Sequence, residues 1–196
     1  MREAAHRADF CVVGGGMAGL IAALAAARRG ARVVLAHDRP VLGGNASSEV
    51  RMEISGAHGS NRRETGILEE LILENFRRNA EPSWSIWDSV LYGAAQYQPG
   101  LTLLLNCSVN AVTMDGARIR SVRGWQTTSE TWHTVEAALF ADCSGDALLA
   151  ALAGAEFRVG REARAEHGES IAPVVGDAKT MGMTCLLQAR ETGRPQ

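Results

Sequence analysis

An α/β fold with a parallel sheet and a small antiparallel β-meander is predicted by three observations. Residues 10–38, FCVVGGGMAGLIAALAAARRGARVVLAHD, read as strand, glycine turn, helix and strand. The glycines of that turn, Gly14, Gly16 and Gly19, fit G-x-G-x-x-G, a spacing that gains weight between a strand and a helix. Residues 101–143 hold short apolar segments separated by turn residues, the pattern of sequential strands.

Residues 1–9 are polar and read as a loose segment. Residues 10–13 are an apolar strand. The following helix shows Leu20, Ala23, Leu24 and Ala27 on one face at helical spacing. Arg28 and Arg29 fall in its last turn, and Gly30 stops it. Residues 31–36 are the second buried strand. Residues 45–59 lack a period and read as loop. A helix is expected over 64–79, with Asn61 as N-cap and Glu64 three residues on. Leu68, Leu71, Ile72 and Phe76 form its apolar face. Pro82 breaks the chain. The next helix carries Trp84, Trp87, Leu91, Ala94 and Ala95 on one side, a spacing that places the tryptophans in a core or interface.

Pro99-Gly100 punctuates the chain before a buried strand at 101–105. Residues 109–114, 118–123 and 131–137 form the meander, with Asp115-Gly116 at a hairpin. Residues 139–143 are a further core strand, leading into Ser144-Gly145-Asp146 and a short helix. Residues 154–177 are charged and irregular, and 180–189 read as a last strand. That strand has no later partner, so either it pairs back with the meander or a domain has been cut short, and the second is the expectation.

Bulk properties narrow the function. Apolar content is 46% and charged content 21%, ordinary for a soluble globular protein. A formal net charge of −2 argues against a nucleic-acid or anionic-membrane surface. Residues 10–27 carry no charge, but their four glycines and many alanines give little drive into a bilayer. The expectation is a soluble, cytoplasmic protein. The four cysteines, Cys11, Cys107, Cys143 and Cys185, form no C-x-x-C pair, so no metal site is expected. Cys11 and Cys143 read as free buried thiols.

The chemistry starts from the glycines. Gly14 allows the tight turn, Gly16 admits a pyrophosphate close to the backbone, and Gly19 lets the helix pack on the strand. The helix N-terminus then offers N–H groups and a positive dipole end to the anion. An acidic residue ending the second strand usually bonds the ribose. By spacing that place falls on His37, with Asp38 next door, and either can make the contact. Residues 39–45, RPVLGGN, bring Arg39 and the Gly43-Gly44 pair to the same region. DCSGD at 142–146 puts Asp146 at a helix start, where it can cap or hold a ribityl hydroxyl. All three segments follow strands at their C-terminal ends, where open α/β sheets bind ligands.

The fingerprint, RPVLGGN and DCSGD resemble the glutathione-reductase-type FAD-binding fold. GGNASSEVRMEISGAHG, RETGILEELILEN and DCSGDALLAALAGAEFRVGRE resemble the FAD-dependent oxidoreductase family that also contains the flavin subunit of heterodisulfide reductases. The resemblance implies a Rossmann-like FAD-binding domain over 1–153, its meander at 109–137, and the beginning of an incomplete substrate domain over 154–196. It implies that Gly14, Gly15, Gly16, Met17, Ala18 and Gly19 line the pyrophosphate. Gly43, Gly44, Asn45 and Ser47 would lie along the dinucleotide toward the flavin. The backbone of Val109 would approach the adenine. Gly145 and Asp146, with Ser144 beside them, would meet the ribityl–pyrophosphate region. Two departures stand out. Position 37 carries histidine where such folds usually carry glutamate, and the iron–sulfur cysteine motifs of heterodisulfide reductases are absent.

The activity implied is transfer of hydride or electrons between a small-molecule substrate and FAD. Arg51, Glu53 and His58 are the candidate groups for it. Arg51 suits a carboxylate clamp or a reduced flavin, and His58 suits proton transfer near neutral pH. Two alternatives stay open on the residues alone: a nicotinamide-dependent dehydrogenase, and a truncated FAD-binding fragment without turnover.

Overall fold

The computed structural model describes residues 1–57, 59–60 and 63–181. His58, the expected cap Asn61, Cys185 and residues 182–189 of the expected last strand lie outside the described residues. The elements are β1 (Arg2–Val13), α1 (Met17–Arg28), β2 (Val33–Ala36), a 3₁₀ turn (Gly44–Ala46), α2 (Gly66–Arg78) and α3 (Trp84–Gln96). They continue with β3 (Leu101–Leu104), β4 (Cys107–Asp115), β5 (Arg118–Gln126), β6 (Thr131–Asp142), α4 (Leu148–Leu152) and α5 (Arg164–His167).

One six-stranded sheet runs in the order β3-β2-β1-β6-β5-β4. The first four strands are mutually parallel, and β5 and β4 are antiparallel to their neighbours. Parallel neighbours need crossovers. Here α1 links β1 to β2, and α2 with α3 links β2 to β3. The three helices cover one face, where Val12, Leu24, Leu35, Leu71, Trp87 and Leu91 form a buried cluster. A second cluster includes Cys11, Val34, Ala36 and Leu104 with Cys107, Val109, Val122 and Val135 of the meander and Leu149 of α4. The fold is therefore the expected parallel α/β sheet with an antiparallel meander.

Two expectations change. Residues 1–9 are not loose, because β1 begins at Arg2 and pairs with β6 from Arg2↔Thr131 to Val13↔Asp142. Its first half alternates, with Ala4, His6 and Ala8 turned inward. Small side chains and a histidine make that alternation weakly apolar, so the pattern hides until its partner is known. By the same pairing the expected strands 131–137 and 139–143 are a single strand, β6. His6 and His133 stack across it, their rings 5.1 Å apart, with His6 Nε2 2.8 Å from His133 Nδ1. His133 Nε2 lies 3.2 Å from Gln126 Oε1. Since that oxygen only accepts, a chain of two neutral rings satisfies every contact.

The helical faces follow their periods with one exception. In α1 the buried residues are Gly19, Leu20, Ala23, Leu24 and Ala27. In α2 Leu71 is buried, but Phe76 is 70% exposed rather than part of the packed face. Phe76 instead borders an apolar groove with Ile72, Met52, Ile54 and Trp84. The turn between α2 and α3 closes on Asn79. Its amide donates to Asn75 Oδ1 and the Ser83 carbonyl, and its oxygen accepts the Ser83 N–H, all at 2.9 Å.

Contacts divide the chain into a unit spanning Met1–Ala155 and a second unit beginning at Glu156. Within the second, Arg161 and Asp177 pair through both backbone bonds and side chains. Phe157, Val159, Ile171, Val174 and Val175 are exposed. Among the described residues no helix is long and apolar enough to cross a membrane, and no group of three or more His, Cys, Asp or Glu is placed to hold a metal.

Candidate functional site

The first glycine loop joins β1 to α1. Gly14 has φ +105°, and a Cβ there would lie 2.1 Å from the Cys143 carbonyl oxygen. Only a bare Cα lets the ends of β1 and β6 meet, and the Cys143 N–H donates to the Val13 carbonyl at 2.7 Å. A Cβ on Gly19 would lie 1.9 Å from the Gly14 carbonyl oxygen, so the first turn of α1 rests directly on the loop. Gly16 differs: a Cβ there meets nothing within 4 Å. Gly16 is the N-cap of α1, with no side-chain cap bond. The first N–H groups of α1, at Met17 and Ala18, thus begin a helix beside open space, a ready anion site.

The second glycine loop lies against the first. The Gly43 N–H donates to the Gly15 carbonyl at 2.9 Å, and Gly16 and Gly43 form a parallel bridge. A Cβ on Gly44 would come within 3.1 Å of Gly16 Cα. Beyond it the chain is fastened to α3. Trp87 Nε1 donates to the Ala46 carbonyl at 2.7 Å, and the Ser48 N–H donates to Asp88 Oδ1 at 3.0 Å. Ser47 is fully buried. Its hydroxyl donates to the Gly44 carbonyl and accepts the Glu49 N–H, so it shapes the loop from inside rather than facing a ligand. Arg39 forms a forked pair with Glu49, at 2.9–3.1 Å. Asn45 stays on the loop surface, its carbonyl accepting the Met52 N–H.

At the end of β2 the two candidate ribose residues separate. His37 is buried. The Gly15 N–H donates to its Nδ1 at 3.0 Å, and its Nε2 faces the Val41 carbonyl at 3.0 Å. A carbonyl only accepts, so Nε2 carries the proton and the ring is neutral. Burial lowers its pKa, against the opposing pull of Asp38 and the Val41 bond. With both nitrogens engaged, His37 has no donor or acceptor left for a ribose. Asp38 is exposed, and it lines a cavity of about 230 Å³ with Gly14, Val109, Ser144 and Asp146.

The third segment holds a residue that sequence reasoning missed. Asp142, not Asp146, organises the turn. One carboxylate oxygen accepts the Ser144 N–H at 3.1 Å and its hydroxyl at 2.6 Å. The other accepts the Leu149 and Ala150 N–H groups at 2.7 and 3.1 Å, capping α4. Burial opposes its charge, but the bonds from Ser144, Ala150 and Leu149 outweigh this and hold the carboxyl below the usual range. An aspartate two residues before a serine is the Asx-turn signal that pointed here. Asp146 is left exposed at the cavity. Asp142→Ala should cost about 1–2 kcal/mol, the range of a lost cap. The stabilisation should be complete above the ordinary carboxylate range and fade as pH falls below it. Urea denaturation of both proteins at neutral and acid pH checks this.

Arg51 has φ +61°, and its Nε donates to the Ser48 carbonyl at 3.2 Å. Its other guanidinium nitrogens have no partner among the described residues. The three described cysteines are free. Burial pushes Cys11 up to about 12 and Cys107 up to about 11, and Cys143 is also raised, by burial and then by Asp142. None is a ready thiolate.

Known proteins share this fold. The THI4 protein of Thermovibrio ammonificans superposes with a TM-score of 0.53 at 20% identity, over 87% of this chain and 76% of that one. A geranylgeranyl bacteriochlorophyll reductase-like protein of Thermoplasma acidophilum matches with a TM-score of 0.54 at 14% identity, over 78% of this chain and 43% of that one. A myxobacterial chondrochloren halogenase, a variant of FAD-dependent halogenases, matches with a TM-score of 0.50 at 19% identity, over 71% of this chain and 37% of that one. The chain thus spans less than half of the last two. The profile of the FAD dependent oxidoreductases covers residues 9–192, so this chain belongs to that family and its cofactor is FAD.

Proposed function

We propose that residues 1–153 bind FAD across the three loops and that the chain belongs to an enzyme passing hydride or electrons between a small molecule and the flavin. The observation that carries this reading is convergence. Gly14, Asp38, Val109, Ser144 and Asp146, from four separate segments, border one cavity beside the open N-terminus of α1. The residues fit the group. Gly16 leaves room for close approach, and Met17 and Ala18 supply N–H donors for a pyrophosphate. Asp38 takes the adenosine ribose in place of His37, and the backbone of Val109 flanks the adenine. Gly43, Gly44 and Asn45 run along the dinucleotide toward the flavin, while Gly145 and Asp146 meet the ribityl end.

FAD, when bound, supplies the ring that accepts or returns the electrons. The chain's own groups bind and orient. Arg51 suits a substrate carboxylate through its unengaged guanidinium edge, and residues from 154 onward begin the substrate domain. The finer kinship with glutathione-reductase-type proteins and heterodisulfide-reductase flavin subunits rests on RPVLGGN and DCSGD. The cytoplasm is the compartment that suits the free cysteines.

Purified protein should be yellow, and acid should release FAD. Added NAD(H) should neither bind with comparable affinity nor displace it. A folded, colourless protein that takes up no FAD would overturn the reading. A yellow protein whose flavin no electron donor reduces would leave a binding module without turnover.

A further inference from the structure

We propose that His37 is a proton-sensitive staple between the two glycine loops, and that its neutral form is needed to retain FAD. The inference rests on the FAD reading and adds to it a regulator at the same site. The position that spacing assigns to the ribose ligand holds instead a ring bonded on both sides. Gly15 of the first loop donates to Nδ1, and Nε2 donates to Val41, just before the second loop's glycines. The ring also packs closely against the first loop: a Cβ on Gly15 would come within 2.8 Å of His37 Cγ and 2.6 Å of Leu42 Cδ2. Gly43 returns the contact by donating to the Gly15 carbonyl. His37 is thus a side chain that bonds to both of the loops that would hold the diphosphate.

Protonation changes the bonding at one atom. Nδ1 gains a hydrogen and can no longer accept from Gly15, so two donors face each other. The Asp38 carboxylate already lies 3.4 Å from Nδ1. It is the acceptor nearest to hand, and turning toward it takes Asp38 away from the ribose. One proton therefore loosens the diphosphate loop and withdraws the ribose ligand together. The other groups acting on the ring are Glu49, which favours its charge, and Arg39, which opposes it and is itself paired to Glu49. Cys107, which donates its N–H to the His37 carbonyl, is a buried thiol that stays protonated.

The sign follows from burial, which sets the His37 pKa below its ordinary 6.5. Retention is complete above that ordinary value and lost as pH falls through the lowered one.

The test is an FAD titration from pH 5 to 8 on wild type, His37→Asn and His37→Gln, with far-UV circular dichroism confirming the fold at each pH. Asparagine keeps an acceptor where Nδ1 stood, and glutamine keeps a donor only near Nε2. Wild-type Kd should be flat near neutrality and then rise by up to about tenfold per pH unit. His37→Asn should bind about threefold more weakly than wild type at every pH, because it keeps the Gly15 acceptor but loses the Val41 bond, and it should show no acid loss, since it has no proton to gain. His37→Gln should bind about tenfold more weakly at every pH, because Gly15 loses its acceptor. A wild-type profile as flat as that of His37→Asn would overturn the gating. So would His37→Asn binding no better than His37→Gln. Nitrogen NMR of the ring and the Gly15 amide reads the staple without FAD: both should titrate together, and independent titration would overturn it. A protein that takes up no FAD at any pH would instead overturn the cofactor site, and with it the gating.

Discussion

Gly19→Ala should destabilise the first unit by about 3 kcal/mol, the upper range for overpacking. The added carbon would sit 1.9 Å from the Gly14 carbonyl oxygen and 3.0 Å from Cys143 Cβ. Backbone cannot swing aside as a flexible side chain does. Helix α1 must lift from the loop, and the Leu20 and Leu24 face it presents to the core must lift with it. Gly16→Ala is the informative contrast. Its carbon meets nothing within 4 Å, so the fold should keep its stability to within about 1 kcal/mol, the cost of a poorer N-cap residue. FAD affinity should nonetheless fall more than about tenfold if, as proposed, the diphosphate approaches through the open space at Gly16. Urea denaturation followed by FAD titration separates the two effects. Equal losses of stability in both variants would refute the assignment of separate packing and ligand roles.

Trp87→Ala should cost about 3–5 kcal/mol, the usual range for emptying a buried aromatic site. Trp87 is 6% exposed and belongs to the cluster under the helices. It also holds the second glycine loop through the Ala46 carbonyl. Trp87→Phe divides the roles, since it keeps most of the packing and drops the donor. The Ala46 carbonyl would then be left without its partner in a buried place, at about 1–3 kcal/mol. FAD binding should weaken in Trp87→Phe along with stability, because the loop carrying Gly43 and Gly44 loses its tie to α3. Thermal melts with and without FAD test this. If Trp87→Phe melts and binds as wild type, the hydrogen bond has no positioning role.

Trp87 shows where sequence reading succeeds and stops. Its spacing with Leu91 and Ala95 marks it as a core residue, and it is one. Nothing in that spacing says that its indole N–H reaches forty-one positions back to Ala46. The same limit applies to Asp142. Within DCSGD the place at the helix start points to Asp146, while the Asx-turn spacing points to Asp142. The strand direction of β6 decides between them by delivering Asp142 to the N-terminus of α4. Phe76 lies on the helical stripe yet remains exposed, because the stripe describes which residues share a face and not how far the neighbouring element extends over it. The first half of β1 needed β6 as a partner before its faint alternation could become a strand.

Sequence alone determined the glycine loop and the helix after it, because both rest on local terms. A missing Cβ and a period of 3.6 residues act over a single turn of chain. It also brought the three candidate segments to the ends of parallel strands, β1, β2 and β6, where the proposed site lies. The division of labour between His37 and Asp38 was decided only by tertiary structure. His37 and Asp38 lie just past the end of β2, where the imidazole is buried and the carboxylate is exposed, although the two stay 3.4 Å apart. The register of β2 on β1, with Val13 opposite Ala36, sets which is which. That register places the imidazole against Gly15 and leaves the carboxylate at the cavity.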